Sequence, residues 1–170
     1  DFELPDFGCK IIFSKFEPQL NKGGTSNESL KRNIGLEIAK DENCTHFLHV
    51  DCDEYYQYFA AAKKQYIDSG AHGSVCKMWT YFKKPTLRLE NPDNYFVPFI
   101  HELKKNTFAG GEQYPFYVDP TRKIQAGFMP YIENEVLLLD IYMHHFSWIR
   151  KDIERKVRNS SAKKNIESSQ

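Results

Sequence analysis

The sequence predicts an α/β fold with a mostly parallel sheet flanked by helices. Short apolar runs alternate with helical patterns through the first half of the 170 residues, which is the order that parallel βαβ units produce along a chain. The clearest strand, residues 46–50, runs directly into acidic residues. Ligands of parallel sheets bind at such strand ends, so this point is also where we expect the site.

The first half of the chain carries four predicted elements. An apolar run predicts a buried strand, and Ser26 or Asn27 can cap the helix that follows it. A second strand leads into the acidic turn, and a second helix ends at Gly70. In order, these elements are a strand at residues 10–13, a helix from the cap at Ser26 or Asn27 to its end at residues 42–44, a strand at 46–50 and a helix at 55–68.

The second half is less regular. Residues 74–82 are rich in Val, Trp, Tyr and Phe and predict a strand, whereas residues 95–103 are interrupted by Pro98 and predict an edge strand. Residues 136–143 fit either a strand or a buried helix, and residues 148–158 fit an amphipathic helix. We therefore expect one domain over residues 1–158, followed by a polar tail over 159–170.

The charge balance excludes some classes of protein. With 23 basic and 23 acidic side chains the chain is neutral overall, which disfavours a basic nucleic-acid binder. Hydrophobic residues make up 41% of the chain, which excludes a wholly disordered protein. Residues 1–60 carry 6 basic and 11 acidic side chains, whereas residues 147–170 carry 7 and 3. This gradient favours a cation site early in the chain and an anion site late.

The cysteines and apolar runs bear on the compartment. Cys9, Cys44, Cys52 and Cys76 lack the short spacing of zinc or redox motifs, so we expect free thiols in a reducing compartment, the cytoplasm. No apolar run approaches the roughly 20 residues of a membrane-spanning helix. The basic residues after Trp148 leave peripheral contact with the inner face of a membrane as an option.

The sharpest motif is the acidic turn after residues 46–50. Asp51, Asp53 and Glu54 fall within four residues, and carboxylates this close repel one another unless a cation lies among them. Oxygen-ligated Mg²⁺ or Mn²⁺ is the expected cation, since these ions take carboxylates and phosphates together. The alternative is a solvated acidic turn without a ligand.

At this point the residues resemble a family. The helix segment Arg32-Asn33-Ile34-Gly35, followed by Asp51-Cys52-Asp53, resembles the middle of a GT-A fold glycosyltransferase of the family 2 type. Residues 143–148, with their two histidines, resemble the late part of such enzymes. The resemblance implies a Rossmann-like sheet, and because little precedes residues 10–13 it implies a shortened relative or one lacking its N-terminal strand–helix unit.

The resemblance also implies roles for individual residues. Asp53 would bind Mn²⁺ or Mg²⁺ directly, and Asp51 would contact the metal through water or the ribose of the donor. His144 or His145 would supply a late metal ligand. A nucleotide-sugar donor, with a UDP-sugar expected, would be bound by the basic residues Arg32, Arg150, Lys151 and Lys156.

The general base is expected to be a carboxylate. An inverting transferase needs one to deprotonate the acceptor hydroxyl, and the candidates are Glu102, Glu112 after a glycine pair and Asp119 before Pro120, of which Glu112 and Asp119 are preferred. The acceptor would be a glycan or a lipid-linked sugar. Two alternatives stay open: a sugar nucleotidyltransferase, and a truncated GT-A-like module that binds without catalysis.

Overall fold

The computed structural model describes residues 8–111, 114–126 and 135–159. Glu112 and residues 160–170 of the expected tail lie outside these ranges. The helices within them are α1 (Gly24–Asp41), α2 (Phe59–Ser69) and α3 (Ile153–Asn159). The strands are β1 (His46–Phe47), β2 (Glu54–Tyr56), β3 (Gly73–Phe82), β4 (Val97–Glu102), β5 (Thr107–Ala109), β6 (Ile124–Ala126) and β7 (Val136–Trp148).

The central sheet is mixed rather than mostly parallel. Its five strands lie in the order β1-β4-β3-β7-β2, and a separate two-stranded sheet joins β5 to β6. Among the described strands, β3 and β7 form the one parallel pair, and every other pairing is antiparallel. The expectation of a mostly parallel, Rossmann-like GT-A sheet flanked by helices is therefore wrong.

The connection after β3 explains the error. A parallel neighbour requires a crossover, which is usually a helix. In the described chain, residues 83–96 between β3 and β4 contain no helix, and β4 returns antiparallel to β3. Only the longer excursion that ends at Val136 brings β7 alongside β3 in the parallel sense.

Several element predictions are confirmed and others are wrong. The first helix and the strand at residues 74–82 are present as α1 and β3. The run at residues 10–13 is exposed and without regular structure, since Ile11, Ile12 and Phe13 find no apolar surface to cover them. The second predicted helix is present as α2, but it begins at Phe59 because Tyr55 and Tyr56 belong to β2. Trp148 ends β7 rather than beginning the last helix.

Two apolar clusters hold the fold together. The larger one packs α2 against the central sheet through residues that include Tyr66, Phe99 and Met143. The smaller one joins Leu36 of α1 to Ile124 of β6 and its neighbours. Burial of these side chains is the main stabilising contribution.

Hydrogen bonds fix α1 to the small sheet. The Asn33 amide donates to the Ala109 carbonyl at 2.9 Å and accepts from the Ala109 N–H at 2.7 Å. Lys40 Nζ donates to the Thr107 carbonyl at 2.8 Å. These bonds set the position of the helix face that lines the site described below.

Gly73 provides a test of this packing. A Cβ at this buried position would lie 2.7 Å from Cδ2 of His101, a side chain that is itself fully buried. We expect Gly73→Ala to lower the free energy of unfolding by about 1–3 kcal/mol, measured by urea titration. Gly35→Ala in α1 meets nothing within 4 Å and is expected to raise it by about 0.5–1 kcal/mol. Equal effects of the two variants would contradict this account.

None of the described helices is both long enough and apolar enough to cross a membrane.

Candidate functional site

The acidic turn lies between β1 and the edge strand β2, and β7 runs beside it. Glu54 of β2 lies opposite His145 of β7 in an antiparallel register. The N–H of Phe146 donates to the Asp53 carbonyl at 2.8 Å. The sheet thus brings the late histidine segment to the acidic turn, although the two are about 90 residues apart in the sequence.

A buried ionic network occupies the inner side of this turn. The Arg122 guanidinium, whose side chain is 11% exposed, donates to Asp51 Oδ2 at 2.7 Å and forms an ion pair with Glu54. Arg32 of α1 donates to the same Asp51 oxygen at 3.1 Å and lies 3.3 Å from Glu28. Glu54 in turn accepts from the Asp51 N–H at 3.1 Å. The turn is therefore held from both sides by arginine.

These charges keep Asp51 and Arg122 ionised. Burial alone would raise the pKa of Asp51, but Arg32 and then Arg122 outweigh it and lower that pKa. Burial alone would lower the pKa of Arg122, but Glu54 and then Asp51 outweigh it and raise that pKa. The contacts of Asp51 and Arg32 are thus those of a fixed ion pair, which differs from the metal and donor roles expected for them.

Asp53 faces a different set of partners. Its Oδ1 lies 4.0 Å from Nε2 of His145, and its Oδ2 accepts from Arg150 at 3.4 Å. Burial lowers the pKa of His145, with Asp53 opposing this shift, so the imidazole favours the neutral form that ligates metals. Asp53, His145 and Arg150 thus meet at one place.

The two histidines point to opposite faces of β7. Successive residues of a strand alternate between faces. His144 hydrogen-bonds the Tyr81 hydroxyl at 2.7 Å and packs near Tyr55. Of the two, only His145 shares the face that carries Asp53 and its partners.

These groups line an open cleft of about 1190 Å³. The sequence-predicted residues on its wall are Arg32, Asp51, Asp53, Asp119, His145, Arg150 and Lys156. The structure places His144 and the exposed Lys151 outside this lining. Glu112 lies outside the described residues.

Asp119 has a structural partner. Its Oδ1 accepts from the Thr121 N–H at 2.7 Å and from the Thr121 hydroxyl at 2.6 Å. In this way it caps the short 3₁₀ turn Pro120–Arg122 that carries Arg122. Asp119 therefore helps to position Arg122. This structural role is additional to the catalytic role that the sequence suggested.

Sequence reasoning missed Arg122 and His49. Arg122 comes 71 residues after Asp51 in a proline-containing turn, and no motif marks it. His49 is buried beside the same network: burial, followed by Arg32, lowers its pKa to about 3. Its position one residue before the end of the predicted strand was the only available signal.

The residues fit a metal in part. In residues 8–111, 114–126 and 135–159 no group of three or more His, Cys, Asp or Glu side chains is arranged to hold a metal ion. Asp53 and His145 nevertheless offer one carboxylate and one neutral imidazole to the same space. Mg²⁺ often takes only one or two protein ligands and completes its shell with water and phosphate oxygens. The fit is therefore to a metal bound together with a phosphate ligand.

Comparison of the chain with protein-family models, with curated proteins and with solved structures returns no match.

Proposed function

We propose that this protein is a metal-dependent glycosyltransferase that moves a sugar from a nucleotide-diphosphate sugar, with a UDP-sugar as the expected donor, to a glycan or lipid-linked acceptor. The observation that supports it best is the convergence of Asp53, His145 and Arg150 in one open cleft. A carboxylate with a neutral imidazole suits Mn²⁺ or Mg²⁺, and arginine suits a diphosphate.

The charged residues and the histidine of the cleft then divide the work of binding. Asp53 and His145 would hold the metal, which when bound supplies charge neutralisation at the diphosphate. Arg150 and Lys156 would bind phosphate oxygens and stabilise the charge that develops as the sugar–phosphate bond breaks. Arg122 and Arg32 hold Asp51, and thereby the backbone of the turn from which Asp53 projects.

The general base that activates the acceptor hydroxyl is inferred from the chemistry of the reaction. An inverting transfer requires a base that takes the acceptor proton as the new bond forms at the sugar carbon. Asp119 lines the cleft and is the described candidate, with Glu112 as the other. Four free cysteines are consistent with the reducing cytoplasm that we propose for this activity.

Calorimetry with UDP tests the proposal. We expect UDP to bind in the presence of Mn²⁺ and to bind at least about tenfold more weakly without it, because the metal neutralises the diphosphate. Asp53→Asn is expected to abolish the dependence on Mn²⁺. Asp140→Asn, on the exposed side of β7, is the matched control and should bind as the parent protein does.

The histidines provide a second comparison. His145→Ala should weaken Mn²⁺-dependent binding, whereas His144→Ala should leave it unchanged, since only His145 lies near Asp53. Binding that is equally weak with and without Mn²⁺ would contradict the proposal. Release of pyrophosphate from a nucleoside triphosphate and a sugar phosphate would instead indicate a nucleotidyltransferase.

A further inference from the structure

A hairpin turn projects from the end of β3 beside the cleft. The N–H of Phe82 donates to the Leu87 carbonyl at 2.9 Å, and the N–H of Leu89 donates to the Thr80 carbonyl at 3.0 Å. Tyr81 and Arg88 form an antiparallel bridge between these bonds. We call residues 82–89 the Lys83 turn.

One face of the Lys83 turn is apolar and exposed. Residues opposite each other in an antiparallel pair share a face, so Phe82 and Leu87 lie together, and alternation places Leu89 with them. Their side chains are 38%, 52% and 47% exposed. Three neighbouring apolar side chains facing water on one projecting turn form a candidate contact surface.

Basic side chains adjoin these apolar ones in the sequence: Lys83 and Lys84 follow Phe82, whereas Arg88, opposite Tyr81, lies on the other face. Lys83, Lys84 and Arg88 belong to the turn, which contains no acidic residue. Lys83 Nζ lies 5.4 Å from the Phe82 ring, and the Arg88 guanidinium lies 3.9 Å from the Trp79 ring. Within the described part of the chain, none of the three cations forms an ion pair with a carboxylate.

The backbone conformation of Lys83 is also unusual. Its φ of 61° lies in the left-handed region, where a side chain with a Cβ costs about 1–2 kcal/mol. Glycine or asparagine would occupy this position at lower cost. Lys83 therefore occupies a backbone conformation that is unfavourable for lysine.

The turn adjoins the cleft. A second cavity, of about 530 Å³, is lined by Pro85 of the turn and by Ile149 and Arg150, together with Asp53 of the acidic turn. The N–H of Lys83 donates to the Trp148 carbonyl at 3.3 Å, which ties the turn to the end of β7. A surface that meets the turn would thus lie at one entrance to the cleft.

We propose that the Lys83 turn binds an anionic lipid surface. Three exposed apolar side chains beside Lys83 and Lys84, which form no ion pair among the described residues, suit insertion at the acyl boundary with the lysines among anionic headgroups. Nucleic acid is disfavoured as the partner because its phosphate backbone offers no apolar surface against which Phe82, Leu87 and Leu89 could be buried. If the turn lies on a membrane beside the cleft, the acceptor of the proposed glycosyl transfer would be attached to a lipid. This statement about the acceptor rests on the proposed function, whereas the membrane contact itself does not.

Vesicle flotation tests the contact. The protein should float with vesicles of phosphatidylcholine and phosphatidylglycerol, should not float with phosphatidylcholine alone, and should be released by added salt. The double variant K83E/K84E should bind at least about tenfold more weakly, because each basic residue near an anionic surface contributes several-fold in affinity. Leu87→Ser should also weaken binding by about tenfold.

The controls separate this surface from net charge and from folding. K104E/K105E changes the charge by the same amount on another exposed lysine pair and should bind vesicles as the parent does. Lys83→Gly relieves the left-handed strain, so it should fold at least as stably and still bind more weakly.

The outcomes are distinct from those of the proposed function. Equal loss in K104E/K105E, no binding to phosphatidylglycerol vesicles, or binding that survives K83E/K84E and Leu87→Ser would overturn the proposal. K83E/K84E should retain Mn²⁺-dependent UDP binding. Failure of UDP binding together with intact vesicle binding would remove the catalytic role and leave the membrane contact standing.

Discussion

Replacing Arg122 with Met is expected to lower the free energy of unfolding by about 3–5 kcal/mol, which is typical when one partner of a buried ion pair is removed. The substitution keeps most of the volume but leaves Glu54, whose side chain is fully buried, and Asp51 without the guanidinium between them. Arg32 still contacts Asp51, but it forms no ion pair with Glu54. Loss of stability should therefore come chiefly through Glu54.

Urea titration of Arg122→Met beside Arg150→Met checks this expectation. Arg150 also pairs with a carboxylate of the acidic turn, Asp53, but its side chain is 42% exposed. A pair this open is worth about 1 kcal/mol or less. If both variants lose the same stability, the buried network does not hold the turn as inferred.

Mild acid should destabilise the fold through two buried histidines. Burial, followed by Arg32, lowers the pKa of His49 to about 3, and burial lowers the pKa of His101 to about 4. In the unfolded chain both titrate near pH 6.5. Their stabilising contribution is thus complete above that pH and is lost as pH falls toward the folded values, because the unfolded state then binds more protons.

The expected loss between pH 7.5 and pH 5 is about 2 kcal/mol for each of these histidines. It can be measured as the change in unfolding free energy in parallel urea titrations. Asp51 should contribute little in this window, since its lowered pKa places its loss at more acidic pH. His101→Gln should reduce the pH dependence, because it removes one of the two buried imidazoles. A flat profile in the parent protein would contradict the account.

Charge patterns within short segments of the sequence were enough to select the acidic residues at 51–54 and the basic residues after Trp148 as candidates. Of the segments marked by opposite charges, Asp51, Asp53 and Glu54 line one cleft together with Arg150 and Lys156, whereas Lys151 lies outside it. Asp53 and Arg150 are 97 residues apart. Both could be selected as site residues because each lies in a segment with a strong charge pattern of its own. The ionic character of the site was thus accessible from composition and spacing.

The remaining features depended on tertiary structure. Arg122 is a single basic residue in a turn, and its value to the fold comes from burial between Asp51 and Glu54, which no local pattern encodes. The sheet was misjudged because alternating strands and helices do not specify the direction in which β4 returns. The strand at 46–50 shortened to two residues because β1 pairs only with the end of β4.

The alternation of β7 has a consequence for how this site can vary. His144 and His145 are chemically identical, and the pairing of β7 with β2 and β3 alone decides which of them faces Asp53. A shift of one residue in that pairing would exchange their faces and also reverse every apolar contact along the strand. Core residues such as Met143 and the site residue His145 lie on the same face of β7, two residues apart. The register of this strand therefore determines both the packing of the core and the composition of the site. A one-residue insertion within β7 ahead of His145 should therefore disturb the core and the site together.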